Sequence, residues 1–215
     1  MRPDSFYISP SNFQKTILIV GTGSLGSGIR GSLLRLGHDP RRISTIDPDT
    51  WEDRNKWNNI WPENPGTPKA IHQKRVQEVL KSLDEETLNS FDIVILTTDN
   101  IESRRYTLEK MTPKLGFLNL ATGINTATAI LGDKKFLLSH IAKDDDSTAE
   151  DLGCAQRGSL AHTLSVVGLG LSRLLYALKQ KAWPNSLIQT SLGITTEKVT
   201  ALSLSDSTFE TAVTL

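Results

Sequence analysis

The 215-residue chain carries 24 acidic and 24 basic side chains, so no net charge draws it to nucleic acid or to an acidic membrane surface. Its single cysteine excludes an internal disulfide and a structural zinc site built on four thiolates. No stretch approaches the roughly 18 apolar residues of a membrane span, and the N-terminus has no apolar leader segment. We therefore expect a soluble, cytoplasmic protein that binds neither nucleic acid nor membranes.

Short apolar runs alternate with segments of helical periodicity over most of the chain. The runs predicted as buried strands are 16–20, 43–47, 92–96 and 117–120. The segments predicted as helices are 24–36, 69–83, 101–111 and the long, almost wholly apolar 160–178. Strands that alternate with helices form parallel sheets with right-handed crossovers. The sequence thus predicts an α/β fold with a Rossmann-like, mostly parallel sheet flanked by helices.

The remaining segments predict additions to this sheet. Residues 126–141 have the pattern of a β excursion, and a polar loop follows at 142–157. Short alternating runs at 186–192 and 198–204 predict a hairpin. We expect one domain over 1–215, with a core at 16–181 and a C-terminal β extension at 185–215.

The first predicted strand runs into a glycine-rich turn. Gly21, Gly23 and Gly26 form a G-x-G-x-x-G motif where the strand meets the next helix. Such glycines let the backbone approach phosphates, and the helix N-terminus offers free N–H groups. Asp47, at the end of the second strand, lies 21 residues after Gly26, where an acid holds ribose hydroxyls. The motif predicts nucleotide binding without choosing the nucleotide.

Three further segments favour ATP over a dinucleotide. The polar, Trp-bearing loop 47–59 suits a substrate-facing role better than a structural one. Pro68 at the start of the predicted helix fixes the direction of Lys69, which can reach phosphates as a point charge. Asp99, at the end of the third strand, can hold Mg²⁺ with triphosphate oxygens, although an Asp there also suits a helix N-cap.

Taken in order, these motifs resemble the ThiF/MoeB/E1 superfamily of enzymes that activate ubiquitin and sulfur-carrier proteins. The resemblance covers about 17–178 and rests on Gly21, Gly23 and Gly26, on Asp47, Asp49 and Asn55, on Gly66, Pro68 and Lys69, on Asp99, Asn100 and Arg104, and on Cys154 to Gly158 with Val166 to Gly168.

The resemblance implies ATP-dependent adenylation of a carboxylate, with release of pyrophosphate and with Mg²⁺ as cofactor. Lys69 would then neutralise phosphate charge, Asp99 would hold Mg²⁺, and Asp47 would bind the ribose. Cys154 would accept the activated acyl group, although a lone cysteine is more often a small buried apolar residue. The implied nucleotide-binding residues are Gly21, Gly23, Ser24, Gly26, Asp47, Asp49, Asn55, Lys69, Asn100 and Arg104.

The chain departs from the family pattern in its cationic residues. Asn58 stands where the family has an arginine, and Arg2 is the only arginine before the first strand. The missing charge then comes from Arg54, Lys56 or a second subunit, or the protein is a nucleotide-binding scaffold without catalysis. The zinc-binding cysteine pairs of the family are also absent, so we expect a minimal, zinc-less member.

The sequence leaves more than one partner and substrate possible. The carboxylate is the C-terminus of a ubiquitin-like or sulfur-carrier protein, or a small acid of the kind activated in iron-guanylylpyridinol cofactor assembly. We expect a homodimer packed near 160–178, because this segment carries more apolar surface than one sheet face can cover and a closed two-fold dimer is the commonest assembly. An NAD(P) oxidoreductase is a weaker alternative, since the only Tyr-x-x-x-Lys pair, Tyr106 and Lys110, falls in the helix after the third strand.

Overall fold

The computed structural model describes residues 13–57, 59–60, 63–122, 126–141, 159–191, 194–200 and 209–211. The strands are β1 (Ile17–Val20), β2 (Ile43–Ile46), β3 (Ile93–Leu96), β4 (Gly116–Thr122), β5 (Thr126–Gly132), β6 (Asn185–Ser191), β7 (Ile194–Thr200) and β8 (Phe209–Thr211). The α-helices are α1 (Ser24–Arg35), α2 (Val76–Ser82), α3 (Glu85–Ser90), α4 (Ile101–Lys110), α5 (Lys134–Ile141) and α6 (Ser159–Gln180). Within these residues all strands belong to one sheet, in the order β2-β1-β3-β4-β5-β6-β7-β8.

The N-terminal half of the sheet is parallel. Ile17 of β1 pairs with Ile43 of β2 on one side and with Ile93 of β3 on the other, and β4 continues the parallel set. Every residue of β1 and β3 is buried. Continuous apolar runs buried on both faces are typical of parallel strands between two helical layers. The predicted α/β fold is confirmed.

The C-terminal half is antiparallel. From β4 onward each strand pairs antiparallel with the next, so β4 belongs to both halves. The C-terminal β extension is confirmed, since β6 and β7 pair along their full length beside β5. The parallel half therefore keeps the carboxyl ends of β1, β2 and β3 side by side at one edge.

Helices cover both faces of the sheet. α1 and α6 pack on one face, around Ile29, Leu118 and Val167. α2, α4 and α5 pack on the other, around Val79 and Leu108. In the described part of the chain, no helix is long and apolar enough to cross a membrane.

The helix predicted over 69–83 is wrong at its start. α2 begins only at Val76, and the preceding residues run beside the end of β2. The backbone N–H of His72 donates to the carbonyl of Thr45 at 3.0 Å, and the N–H of Asp47 donates to the carbonyl of His72 at 3.1 Å. These strand-like hydrogen bonds compete with helical ones, and they leave Ile71 62% exposed instead of on a buried helical face.

The β excursion predicted over 126–141 is correct only in its first half. β5 ends at Gly132, and α5 follows directly. The Asp133 carboxylate accepts a hydrogen bond from the N–H of Phe136 at 2.7 Å, the usual way in which an aspartate starts a helix. The polar loop predicted at 142–157 lies outside the described residues.

Candidate functional site

The glycine turn between β1 and α1 is shaped by two of its three glycines. Gly21 has φ +89°, a conformation that side chains rarely adopt. A Cβ on Gly26 would lie 1.9 Å from the carbonyl oxygen of Gly21. The turn therefore closes tightly on itself, and alanine does not fit at Gly26 without moving the backbone.

The middle glycine has a different environment. A Cβ on Gly23 would meet no heavy atom of the described residues within 4 Å. Gly23 is the N-cap of α1 and provides no capping side chain to the first turn of that helix. The space in front of the helix N-terminus is thus open, and a phosphate could approach the backbone there.

Asp47 fixes the glycine turn to the end of β2. Its side chain is buried, with Oδ2 accepting a hydrogen bond from the N–H of Thr22 at 2.6 Å and Oδ1 accepting one from the N–H of Asp49 at 2.9 Å. A carboxylate has about four acceptor sites, so two contacts leave it able to accept from a further hydroxyl. The predicted ribose contact stays a prediction.

Thr97 joins the ends of β1 and β3 and was missed by the sequence analysis. Its buried hydroxyl donates to the carbonyl of Gly21 at 2.5 Å. The signal in the sequence was its position, because it is the first polar residue after the apolar run of β3. Asp47 and Thr97 together hold the glycine turn from both neighbouring strands.

Lys69 is positioned by strand-like pairing and not by a helix, which corrects the predicted role of Pro68. Its N–H donates to the carbonyl of Asp49 at 3.0 Å, and the N–H of Trp51 donates to the carbonyl of Thr67 at 2.7 Å. The Lys69 ammonium lies 3.2 Å from Oδ2 of Asp49, with the side chains 10% and 64% exposed. Because the Asp49 carboxylate is largely in water, this ion pair holds the lysine only weakly.

A small cavity joins Lys69 to the glycine turn. Its volume is about 40 Å³, and its lining includes Thr22, Ser27, Arg30, Trp51, Glu63 and Lys69. Trp51 is buried and anchors the polar loop on this side. Arg30, on α1, was missed by the sequence analysis. Its signal was helical spacing, since it lies three residues after Ser27 on the same side of the helix.

The segment after β3 contains three predicted site residues, Asp99, Asn100 and Arg104, of which the last two make hydrogen bonds within the segment and α4. Asn100 is the N-cap of α4, where its side-chain oxygen accepts from the N–H of Ser103 at 2.9 Å. Arg104 is buried, and Nε and Nη2 both donate to the carbonyl of Thr98, the former at 2.7 Å. Asn100 and Arg104 thus hold the end of β3, and their predicted contacts to the nucleotide stay predictions.

Asp99 is exposed and makes no hydrogen bond or ion pair with the described residues. These residues include no group of three or more metal-binding side chains. Mg²⁺ does not need one, because it binds to one or two carboxylates together with phosphate oxygens and water. A single free carboxylate at the edge of the sheet therefore fits the predicted magnesium ligand.

The polar loop after β2 is tied to itself and to α1. The side-chain oxygen of Asn55 accepts from the N–H of Glu52 at 2.9 Å. The buried Asn59, a further residue that the sequence analysis missed, donates to the carbonyl of Asn55 and accepts from the Ser27 hydroxyl, each at 2.9 Å. The predicted nucleotide contact of Asn55 stays a prediction, as does that of the half-buried Ser24. Asn58 and Cys154 lie outside the described residues.

No protein-family model matches the sequence, and a comparison with curated protein sequences finds no relative. Solved structures share the fold. E. coli MccB, solved with MccA, matches at TM-score 0.59 and 14% identity over 91% of this chain and 66% of that one. MccB with ATP matches at 0.56 and 15%, over 91% and 67%, and PaaA at 0.60 and 11%, over 90% and 75%. The chain thus spans about two thirds of the MccB chain, and the likeness establishes the fold.

Proposed function

We propose that the protein binds ATP with Mg²⁺ at the carboxyl ends of β1, β2 and β3 and adenylates a carboxylate, releasing pyrophosphate. The observation that carries this proposal is the open backbone at Gly23, at the N-terminus of α1 and beside the cavity that Lys69 lines. Ligands of open α/β sheets bind outside the carboxyl ends of the strands. The fold shared with MccB, one structure of which was solved with ATP, supports the choice of nucleotide.

The proposed reaction needs positioning more than covalent help from the protein. A carboxylate oxygen attacks the α-phosphorus, the bond from that phosphorus to the bridging oxygen breaks, and pyrophosphate leaves. Lys69 neutralises charge on the phosphates, and the N-terminus of α1 directs its free N–H groups at them. Asp47 holds the glycine turn and accepts from a ribose hydroxyl. Asp99 binds Mg²⁺, which supplies further positive charge to the phosphate oxygens.

The substrate class follows from the same proposal. The carboxylate is the C-terminus of a ubiquitin-like or sulfur-carrier protein, or a small carboxylic acid. The MccB structure that was solved with MccA supports a second molecule as the partner. A peptide ending in Gly-Gly and a set of small acids are therefore the first compounds to test.

Two measurements test the proposal on the full chain. Calorimetry with Mg²⁺ is expected to show tighter binding of ATP than of NAD, and the reverse order would refute the choice of nucleotide. Pyrophosphate exchange, measured with the peptide and the acids in turn, is expected to depend on a carboxylate. If the protein binds ATP but neither the peptide nor any of the acids supports exchange, the protein is a nucleotide-binding scaffold without catalysis.

Variants assign the residues. Asp99→Asn and Lys69→Met are expected to lower exchange at least about a hundredfold, as the loss of a charged group at a developing charge does. Glu102→Gln and Lys74→Met are the matched controls, because both side chains are exposed and lie outside the cavity. The assignment fails if the controls lose as much exchange as the site variants.

A further inference from the structure

The Thr22 hydroxyl is buried at the cavity without a hydrogen-bond partner. The residue is 1% exposed and lines the cavity, and its Oγ1 has no partner among the described residues. Buried polar groups in folded proteins are nearly always paired, and an exception calls for an unseen partner. An acceptor group placed in the cavity would satisfy this hydroxyl.

Arg30 brings an uncommitted positive charge to the same cavity. Its side chain is half-buried, and it makes no hydrogen bond or ion pair within the part of the chain that the structure describes. Leu25, Ile29 and Leu33 of α1 pack in the core and fix the helix in place. Because the helix is fixed by that packing, Arg30 is held beside the cavity that Thr22 also lines.

The polar groups around the cavity favour an anion. Lys69 and Arg30 can only donate hydrogen bonds, and the free Thr22 hydroxyl is a third donor. The Ser27 hydroxyl is already used, since it donates to Asn59 at 2.9 Å. Glu63 also lines the cavity, but its side chain is exposed to water. A ligand with several acceptor oxygens and negative charge matches these donors.

The size of the cavity further limits which ligand group can enter it. The cavity volume of about 40 Å³ is a few times the volume that a single water molecule needs. A phosphoryl group is of that scale, and a purine ring is much larger. Arginine binds phosphate oxygens through two parallel hydrogen bonds, which gives it direction as well as charge.

We propose that Arg30 and the Thr22 hydroxyl bind the terminal phosphates of the nucleotide, so that α1 supplies a cation that the family places elsewhere. This rests on the proposed function, because it assumes that the nucleotide carries a polyphosphate. Arg30 and Lys69, which both line the cavity, neutralise the charge of the pyrophosphate portion, and the Thr22 hydroxyl orients one of its oxygens. Arg30 is a substrate-binding residue for the leaving group and has no role toward the base or the ribose.

The experiment compares ligands that differ in their phosphates. Calorimetry with Mg²⁺ measures ATP, ADP, AMP and inorganic pyrophosphate on the full chain and on Arg30→Met, Arg30→Lys and Thr22→Val. Arg30→Met is expected to weaken ATP and pyrophosphate binding about tenfold or more, while AMP binding changes less than about twofold. Arg30→Lys restores part of the loss, and Thr22→Val weakens ATP binding by a smaller factor. Arg105→Met, an exposed arginine on α4, is the matched control.

The outcomes separate this proposal from the proposed function. Unchanged ATP and pyrophosphate affinities in Arg30→Met overturn it, and so does an equal loss for AMP. If the wild-type chain binds pyrophosphate through Arg30 but shows no exchange, the phosphate site stands and adenylation fails. If Arg30→Met raises only the KM of the carboxylate substrate, Arg30 binds that substrate and the phosphate assignment is wrong. Melting temperatures of all variants within a few degrees of wild type exclude unfolding as the cause.

Discussion

In the turn after β1, Gly21 and Thr22 are buried and held by the neighbouring strands, whereas the segment after β3 exposes Asp99 and Asn100. In the first, Asp47 and Thr97 contact backbone groups of the glycine turn at 2.6 and 2.5 Å. In the second, Asn100 caps α4, and Asp99 has no partner among the described residues. Motif residues therefore differ in what they do, because some shape the backbone and others are free to meet a ligand.

The largest effect is expected at Gly26. In Gly26→Ala the new Cβ would overlap the carbonyl of Gly21, at 1.9 Å, so the turn must open. We expect the free energy of unfolding to fall by about 2–3 kcal/mol, in the upper range for overpacking. Urea denaturation measures this. A loss below about 0.5 kcal/mol, the size of an ordinary surface substitution, would show that the turn is not tightly closed.

Asp47 comes next, as a buried carboxylate that holds backbone N–H groups. Asp47→Asn keeps the size but removes the charge, and because its amide has only one acceptor oxygen, either the N–H of Thr22 or that of Asp49 is left facing an NH₂ group. We expect a loss of about 1–3 kcal/mol in unfolding free energy, the usual cost of leaving a buried donor unpaired. Asp99→Asn is the comparison, with a change within about 0.5 kcal/mol because the side chain is exposed. If Asp47→Asn and Asp99→Asn lose equal unfolding free energy, the turn after β1 and the segment after β3 do not differ in how their motif residues contribute to folding.

Gly23→Ala is expected to separate binding from folding. The Cβ enters open space, so the only expected cost to folding is the preference for Gly over Ala at an N-cap, at most about 1 kcal/mol in the free energy of unfolding. ATP affinity, measured by calorimetry, should fall about tenfold because the methyl group blocks the approach of phosphate to the helix N-terminus. Unchanged affinity would mean that the nucleotide does not bind in front of α1.

The smallest effect is expected at Asp39, a half-buried carboxylate at the surface that accepts from a local N–H as Asp47 does in the interior. Arg41, through hydrogen bonds from its side chain and its backbone N–H, lowers the pKa of Asp39 from 3.8 to about 2. The carboxylate therefore stabilises the fold above pH 3.8, and this contribution is lost as the pH falls toward 2. Asp39→Asn should flatten the pH dependence of stability over that interval only. A stability difference between the two proteins that stays constant from neutral pH down to pH 2 would contradict the assignment.

Much of the fold was predictable because its signals are local. β1 and β3 are short apolar runs, and α1 and α4 have helical periodicity with clear ends. The start of α2 was not predictable in this way, because residues 69–75 follow hydrogen bonds to the end of β2 that no local pattern reveals. His72 pairs with Thr45, which is 27 residues earlier.

In the candidate site, too, residues with a local sequence signal were predictable and residues that depend on distant contacts were not. Thr22 of the glycine turn and Lys69 line one cavity, while the predicted nucleotide contacts stay predictions. Arg30 was missed because one arginine on an amphipathic helix has the pattern of a solvated residue. Asn59 was missed because its partner, Ser27, lies 32 residues away. Arg104 matches a family motif, yet its guanidinium contacts the carbonyl of Thr98, which only coordinates can reveal.

The pairing that positions Lys69 also closes a loop. Thr50 and Pro68 form an antiparallel bridge, and Gly66 donates to the carbonyl of Trp51 at 2.8 Å, so residues 52–65 begin and end at the same place. The entropy lost on closing such a loop grows only with the logarithm of its length, by about 0.6 kcal/mol for each doubling. Insertions at the exposed residues 64–65 are therefore inexpensive and leave Lys69 in place, whereas the part of the loop that contains Asn59 is held to α1 through Ser27. This exposed end of the loop can diversify toward different partners while the lysine stays at the cavity.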